Sequence, residues 1–440
     1  MKVFKFGGAS VKDAEAVKNV ADIIRKFEGE ELVIVISAMG KTTNGLEKVV
    51  NAYYHKSDDA AKCLNEVKEF HMAIMKKLFK PNHQVFTTVN NFFVEIDWVL
   101  EEEPRTYGFV YDQMVSIGEL VSTAIVSAYL NDNGVKNKWI DARSCIRTDN
   151  NYRSGNINWP ETDKMVNEVV ASNLDDQNNV IIVQGFIGGT SENYTTTLGR
   201  EGSDYTAAIF AHCLNAESVT IWKDVSGVLN ADPKFFEDAQ KLEQISYHDA
   251  IELTYYGATV IHPKTIKPLE NKNIPLFVKS FIKPDSSGTI IGKDLPTKPF
   301  IPSYIFKSNQ VLISIEAKDF SFIAEESLSK IFGIFAKAGV KIHLMQNSAI
   351  SFSVCVDNDE YVLPGLLDEL KKEFRVLYND NLMLYTIRHY NQFTLDKLSK
   401  DRELLLEQRT RNTAQLVVRN PVTEKKTSDV SNRQQLVYEA

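Results

Sequence analysis

Val3-Phe4-Lys5-Phe6-Gly7-Gly8-Ala9-Ser10-Val11-Lys12-Asp13, followed after one amphipathic stretch by Leu32-Val33-Ile34-Val35-Ile36-Ser37, decides the architecture. Val3 to Phe6 predicts a short strand, Gly7-Gly8-Ala9 a tight turn, and Ser10, with an acidic residue three places on at Asp13, a helix N-cap. The next stretch carries Val17, Val20, Ala21 and Ile24 on one helical face, at i, i+3, i+4, i+7 spacing. Leu32 to Ile36 is an unbroken apolar run, the mark of a strand buried on both faces. Strand, glycine turn, helix and buried strand make a βαβ opening, so an α/β domain around a mainly parallel sheet is expected.

Comparable strands recur at Val180 to Val183, before Gly185-Phe186-Ile187-Gly188-Gly189, and at Ser218 to Trp222, before Lys223-Asp224. Glycines and polar residues thus collect where strands end, which in open α/β sheets is the ligand-binding edge. Residues 45 to 130 are richer in helical patterning, and Glu101-Glu102-Glu103 reads as a solvated helix end. Proline and glycine between Pro284 and Pro302 interrupt the periodicity and mark a domain boundary. Beyond it come strand Val311 to Glu316, helix Glu325 to Ala338, strands Lys341 to Gln346 and Ile350 to Val356, helix Leu363 to Phe374 and strand Leu382 to Ile387. That order is the ferredoxin-like βαββαβ arrangement. The expected domains are 1–295, 305–390, and a 391–440 extension with a charged helix, the apolar Leu416-Val417-Val418 and a disordered polar tail.

The chain has 440 residues, more than one core holds. Its net charge of −8 lacks the basic footprint of a nucleic-acid binder. Cys63, Cys145, Cys213 and Cys355 lie far apart, suggesting neither a disulfide framework nor a zinc site and fitting a reducing cytoplasm. No apolar run approaches the roughly 20 residues of a membrane span, and no targeting segment is evident.

No P-loop, dinucleotide fingerprint or protein-kinase catalytic loop occurs. Lys5-Phe6-Gly7-Gly8-Ala9-Ser10 instead offers an anion two glycine amides, a helix start and a full charge. Alone, such a turn is more often plain geometry. Leu198-Gly199-Arg200-Glu201-Gly202-Ser203-Asp204 is a second glycine-rich approach to a helix, with a planar fork at Arg200 suited to a carboxylate. Gly118-Glu119-Leu120-Val121-Ser122 sets one carboxylate in an apolar helix.

These motifs, with Ile36-Ser37-Ala38-Met39-Gly40, Trp222-Lys223-Asp224-Val225-Ser226-Gly227-Val228, Asp232-Pro233 and Gly257-Ala258-Thr259-Val260-Ile261-His262-Pro263, occur together and in order. The set resembles aspartate kinases of the amino acid kinase superfamily, and the trailing βαββαβ unit resembles their ACT domain. The resemblance implies ATP and Mg²⁺ as cofactors, with the metal held largely by the nucleotide and no protein metal ligand assigned. It implies that Lys5, with Gly7, Gly8 and Ser10, meets the phosphates and that Asp204 holds Lys5. Arg200 would bind the α-carboxylate of L-aspartate, Glu119 its ammonium, and Ser37, Thr43 and Ser203 its other polar groups. Asp224, Gly227, Val228 and Asp232 match the adenosine-binding stretch.

The sequence departs from the family pattern at Glu201, Lys223 and Thr259, where relatives carry Gly, Thr and Lys. The missing lysine leads to the expectation that Lys223 replaces it at the nucleotide phosphates. A catalytically silent amino-acid sensor of the same fold is the alternative. A single ACT unit would leave a sheet edge uncovered, so a homodimer through residues 305 to 390 is expected. An effector would sit near Asp319, Phe320, Ser321, Val340, Ile342 and Ser348. Lysine-sensitive relatives carry acidic residues where His343 and Ala349 stand, so threonine or no effector is preferred over lysine.

Overall fold

The computed structural model describes residues 1–419 apart from 58, 175–178, 259, 260 and 320. The chain forms two compact units, one from Met1 to Phe300 and the other beginning at Ile301. The strands of the first are β1 (Lys2–Phe6), β2 (Leu32–Ile36), β3 (Lys138–Ile140), β4 (Val180–Gln184), β5 (Ile187–Gly189), β6 (Thr195–Thr197), β7 (Ser218–Lys223), β8 (Gln244–Ser246), β9 (Leu276–Ser280) and β10 (Thr289–Gly292). Eight of them form one sheet in the order β3-β4-β2-β1-β7-β9-β10-β8, while β5 and β6 make a separate hairpin. Every residue of β2 and β4 is buried, as the unbroken apolar runs predict.

Register positions the site. Phe6 of β1 pairs in parallel with Ile36 of β2 and Trp222 of β7, and Ile36 pairs with Gln184 of β4. The segments after these strands, starting at Gly7, Ser37, Gly185 and Asp224, therefore emerge along one sheet edge. The expected N-cap moves by three residues. Gly8–Val11 is a 3₁₀ turn, and the helix Ala14–Arg25 is capped by Asp13, whose carboxylate accepts the Ala16 N–H at 2.8 Å. Ser10 cannot cap because its side chain is turned inward, with Oγ 3.5 Å from the Trp222 carbonyl.

Helices Tyr107–Val115 and Ile117–Asp132 run almost continuously. Contrary to the sequence reading, this stretch is long and apolar enough to cross a membrane, but it is mostly buried in the first unit. Its apolar character comes from packing all round rather than on one stripe. β10 lies inside the proline-rich stretch read as a boundary and belongs to the first sheet.

The second unit is a six-stranded sheet of β11 (Ser303–Ala317), β12 (Ile342–Asn347), β13 (Ser351–Asp357), β14 (Phe374–Arg388), β15 (Glu403–Arg409) and β16 (Thr413–Arg419). Their order is β12-β13-β11-β14-β16-β15. Helices Glu325–Ala338 and Leu363–Glu373 cover one face through Ile331, Phe335, Leu366 and Leu370, packed on Val311, Ile313, Val354 and Val356. The opposite face buries Leu312, Leu344, Cys355, Leu384, Leu406 and Val417. This is the βαββαβ order with an addition. β11 and β14 are 15 residues each, and the far half of β14 pairs with β16 from Leu382↔Arg419 to Arg388↔Thr413. Residues 391–419 are thus a helix, Gln392–Ser399, and two further strands rather than a helical extension. β16 covers the far half of the β14 edge within the chain, while the β12 edge stays open. Leu404-Leu405-Leu406 lacks the alternation that would have marked β15. The tail from residue 420 lies outside the described residues.

Candidate active site

Asp204 lies in the first turn of the helix Gly202–Cys213 and is almost wholly buried. Its Oδ1 is 2.6 Å from the Lys5 ammonium of β1, and its Oδ2 is 3.8 Å from the Lys223 ammonium at the end of β7. Burial pushes this carboxyl up, but the two ammonium groups outweigh it and hold Asp204 below its ordinary value. Two cations on one carboxylate leave one net positive charge at the sheet edge. Such a site attracts an anion and stabilises charge that builds up during a reaction.

The turn after β2 packs backbone to backbone on the glycine turn. The Gly40 N–H donates to the Gly8 carbonyl at 3.1 Å, and a Cβ on Gly8 would come within 2.8 Å of the Ala38 carbonyl oxygen. Behind the same turn lies Glu119, held close because Gly118 leaves room for Ala38, Thr42 and Leu46. Glu119 Oε1 accepts the Ala38 N–H at 3.4 Å, while Oε2 is buried without a hydrogen-bond partner among the described residues. Burial pushes this carboxyl up to about 8. A buried carboxylate oxygen with nothing to bind is costly unless a cation arrives.

Arg200 is exposed and makes no hydrogen bond or ion pair with any described residue, so its guanidinium is open to a ligand. The hydroxyls of Ser37, Thr43 and Ser203 likewise make no hydrogen bond with described residues. Ser203 is set against the strand ends by Gly185, where a Cβ would meet the serine at 2.5 Å. Glu201 has φ +54°, the left-handed region that favours glycine.

Lys223 opens the segment that carries Asp224, Gly227, Val228 and Asp232. There the Val228 N–H donates to Thr289 Oγ1 at 2.9 Å, and Asp232 Oδ1 accepts the Lys234 N–H at 2.9 Å. Asp224 is exposed. Ser10 stands apart, its hydroxyl facing the Trp222 carbonyl and its N–H donating to Gly7. Thr259 and Phe320 lie outside the described residues. Among the described residues no group of three His, Cys, Asp or Glu side chains could hold a metal.

Two supporting residues had no sequence signal. Asp112, buried in an apolar helix, accepts the Arg153 N–H at 2.9 Å and both the N–H and hydroxyl of Thr197, tying down the strand that leads to Arg200. His71, a lone histidine on a helix, proves to touch the turn after β2.

The amino acid kinase family model matches residues 1–280. Aspartokinase 1 of Arabidopsis thaliana chloroplasts is 35% identical over 364 residues, which are 81% of this chain and 63% of that protein. The chain thus spans less than two thirds of that relative's length. Lysine-sensitive aspartokinase 3 of Escherichia coli K12 is 32% identical over 396 residues, 88% of this chain and 86% of that one. The structure of E. coli aspartokinase III with aspartate and ADP superposes with a TM-score of 0.79 at 26% identity, covering 95% of this chain and 96% of that one. On the family match and the relative covered over most of its length, the chain belongs to the amino acid kinase family and, within it, to the aspartokinases.

Proposed function

We propose that the protein transfers the γ-phosphoryl group of ATP to the side-chain carboxylate of L-aspartate, giving 4-phospho-L-aspartate for amino-acid biosynthesis. The observation that carries this is the pairing, along one sheet edge, of a two-lysine anion site with an orphaned buried carboxylate. The acceptor carboxylate, with an ordinary pKa near 3.9, is already ionised and attacks phosphorus without a general base. The obstacle is repulsion between two anions. Lys5 and Lys223, clamped on Asp204, supply preorganised positive charge there. Glu119 Oε2 takes the substrate ammonium, Arg200 its α-carboxylate, and Ser37, Thr43 and Ser203 its remaining polar atoms. Gly7 and Gly8 face the phosphates, and Asp224, Gly227, Val228 and Asp232 face adenosine. Mg²⁺, which neutralises phosphate charge when bound, fits as a nucleotide-borne ion because the buried Asp204 carboxylate is already taken by lysines.

Lys223 fills the place of the lysine that relatives carry at position 259, a reading supported by its approach to Asp204. A homodimer through residues 305 to 390 is proposed, along the open β12 edge, where Met345, Phe322, Phe332 and Ile350 are exposed. An amino-acid effector would bind near Asp319, Ser321, Val340, Ile342 and Ser348. His343 there is bonded to Asp357 at 2.8 Å, so the nearby carboxylate is already engaged by an imidazole, which favours threonine or no effector over lysine. Four free cysteines support a reducing, cytoplasmic setting. The test is hydroxamate trapping of aspartyl phosphate with ATP, Mg²⁺ and aspartate. Aspartate binding without any hydroxamate would favour the silent sensor instead.

A further inference from the structure

His71 is completely buried, on the helix Ala60–Leu78, with the rings of Phe70 and Phe93 beside it. Its Nδ1 lies 2.8 Å from the Val67 carbonyl and its Nε2 3.2 Å from Thr42 Oγ1. A carbonyl only accepts, so Nδ1 carries the proton and the neutral ring presents Nε2 as an acceptor. Burial pushes the imidazolium down to about 4, so the ring is neutral under any working condition. The Thr42 hydroxyl then has two acceptors, Nε2 and the Met39 carbonyl at 2.6 Å, and that carbonyl is already served by the Thr42 N–H at 3.0 Å. The hydroxyl is therefore available to His71 without leaving Met39 bare.

Thr42 ends the turn that both halves of the site share. Within four residues, Ala38 binds Glu119 and Gly40 binds Gly8, while Ser37 and Thr43 flank the turn. The start of the turn is held where the Ser37 N–H donates to the Phe6 carbonyl at 3.0 Å and Ser122 Oγ donates to the Ser37 carbonyl at 2.7 Å, which leaves its far end, at Thr42, to His71. We propose that His71 is a positioning residue: through Thr42 it holds the Ser37 to Thr43 turn in the geometry that binds the amino-acid substrate. The inference rests on the aspartate-kinase reading above. It predicts an effect mainly on aspartate, because Gly8 is also anchored by its own strand and 3₁₀ turn, and Ser37 by Phe6 and Ser122, whereas Thr43 and the Ala38 contact to Glu119 ride on the braced turn.

The experiment is steady-state kinetics on the full chain, varying aspartate and ATP separately, for His71→Phe, His71→Gln, Thr42→Val and the double variant His71→Phe/Thr42→Val. Phenylalanine fills the space without a hydrogen bond, and glutamine returns an acceptor oxygen to the hydroxyl. His71→Phe and Thr42→Val should each raise the aspartate KM about tenfold, with kcat and the ATP KM within about twofold. His71→Gln should stay near wild type, and the double variant should be no worse than either single change, since both delete one contact. Thr42→Val approaches the contact from the other side should His71→Phe fold poorly. An unchanged aspartate KM overturns the inference. So does a parallel rise in both KM values with glutamine as harmful as phenylalanine, which marks general loosening. Wild-type turnover is the baseline, so either result breaks the positioning role without touching the kinase assignment.

Discussion

The two ends of the site handle charge in opposite ways. At the phosphate end, the partly exposed Lys5 and Lys223 are already gathered on the buried Asp204 before any ligand arrives. At the amino-acid end, Glu119 keeps an orphaned oxygen and Arg200 has no partner among the described residues. A preformed cluster costs nothing to reorganise when charge builds on the transferring phosphoryl group, so its losses should fall on kcat. Unpaired groups are completed by the ground-state substrate, so their losses should fall on KM.

The largest expected effect tests the first half. Lys5→Ala should lower kcat about 10²- to 10³-fold, the usual cost of one preorganised donor. Unchanged turnover would remove Lys5 from the chemistry. Lys223→Thr should come next, at about 10²-fold, and Lys223→Thr combined with Thr259→Lys should restore much of it. A double variant no better than the single one would show that Lys223 is only a structural partner of Asp204.

At the other end, Arg200→Ala should raise the aspartate KM by about 30- to 100-fold, the loss of a charged bidentate contact, with little change in kcat. An effect confined to the ATP KM would put Arg200 at the wrong ligand.

A smaller effect comes from the raised pKa of Glu119. Its carboxyl is protonated below about pH 8 in the ligand-free protein, yet an ammonium needs the ionised form. Aspartate binding therefore releases a proton below that pH. Apparent affinity should be flat just above pH 8 and fall by about tenfold per unit well below it. Glu119→Gln should bind weakly at every pH and lose the slope. A slope that survives in that variant would assign the titration elsewhere.

How much was legible follows the same division. The central strands β1, β2, β4 and β7 and the lysine and carboxylate residues stood in short contiguous motifs, where an apolar run or a glycine turn declares itself locally, whereas the short or outer strands β3, β8, β9 and β10 did not. Nor did β15 and the near half of β14: Leu404-Leu405-Leu406 shows no period, and Arg375 to Asn381, which precede the strand read at Leu382 to Ile387, are mostly exposed and carry no long apolar run. Ser10 looked like a helix cap because sequence shows spacing but not which way a side chain turns. Asp112 and His71 act through residues far away in the chain, Thr197 and Thr42, so no local pattern could point to them.

The smallest effect sits where the two ends meet. Glu201 joins Arg200, which waits for substrate, to Gly202 and the helix that carries Asp204. Its φ of +54° is a conformation that costs a residue with a Cβ roughly 1 kcal/mol more than glycine. Its Oε2 is also buried without a hydrogen-bond partner among the described residues, which adds to the cost. If Glu201 served catalysis, the strain would be offset by lost activity on removing it. If it is a tolerated departure, Glu201→Gly should raise stability by about 1 kcal/mol and leave kcat and both KM values within about twofold. The extra backbone freedom of glycine in the unfolded chain works against the gain, so the rise is smaller than the strain and the buried oxygen would give together. Denaturant titration beside kinetics decides it: a variant that is less stable, or that loses aspartate affinity, would show that Glu201 links the two ends rather than merely lying between them.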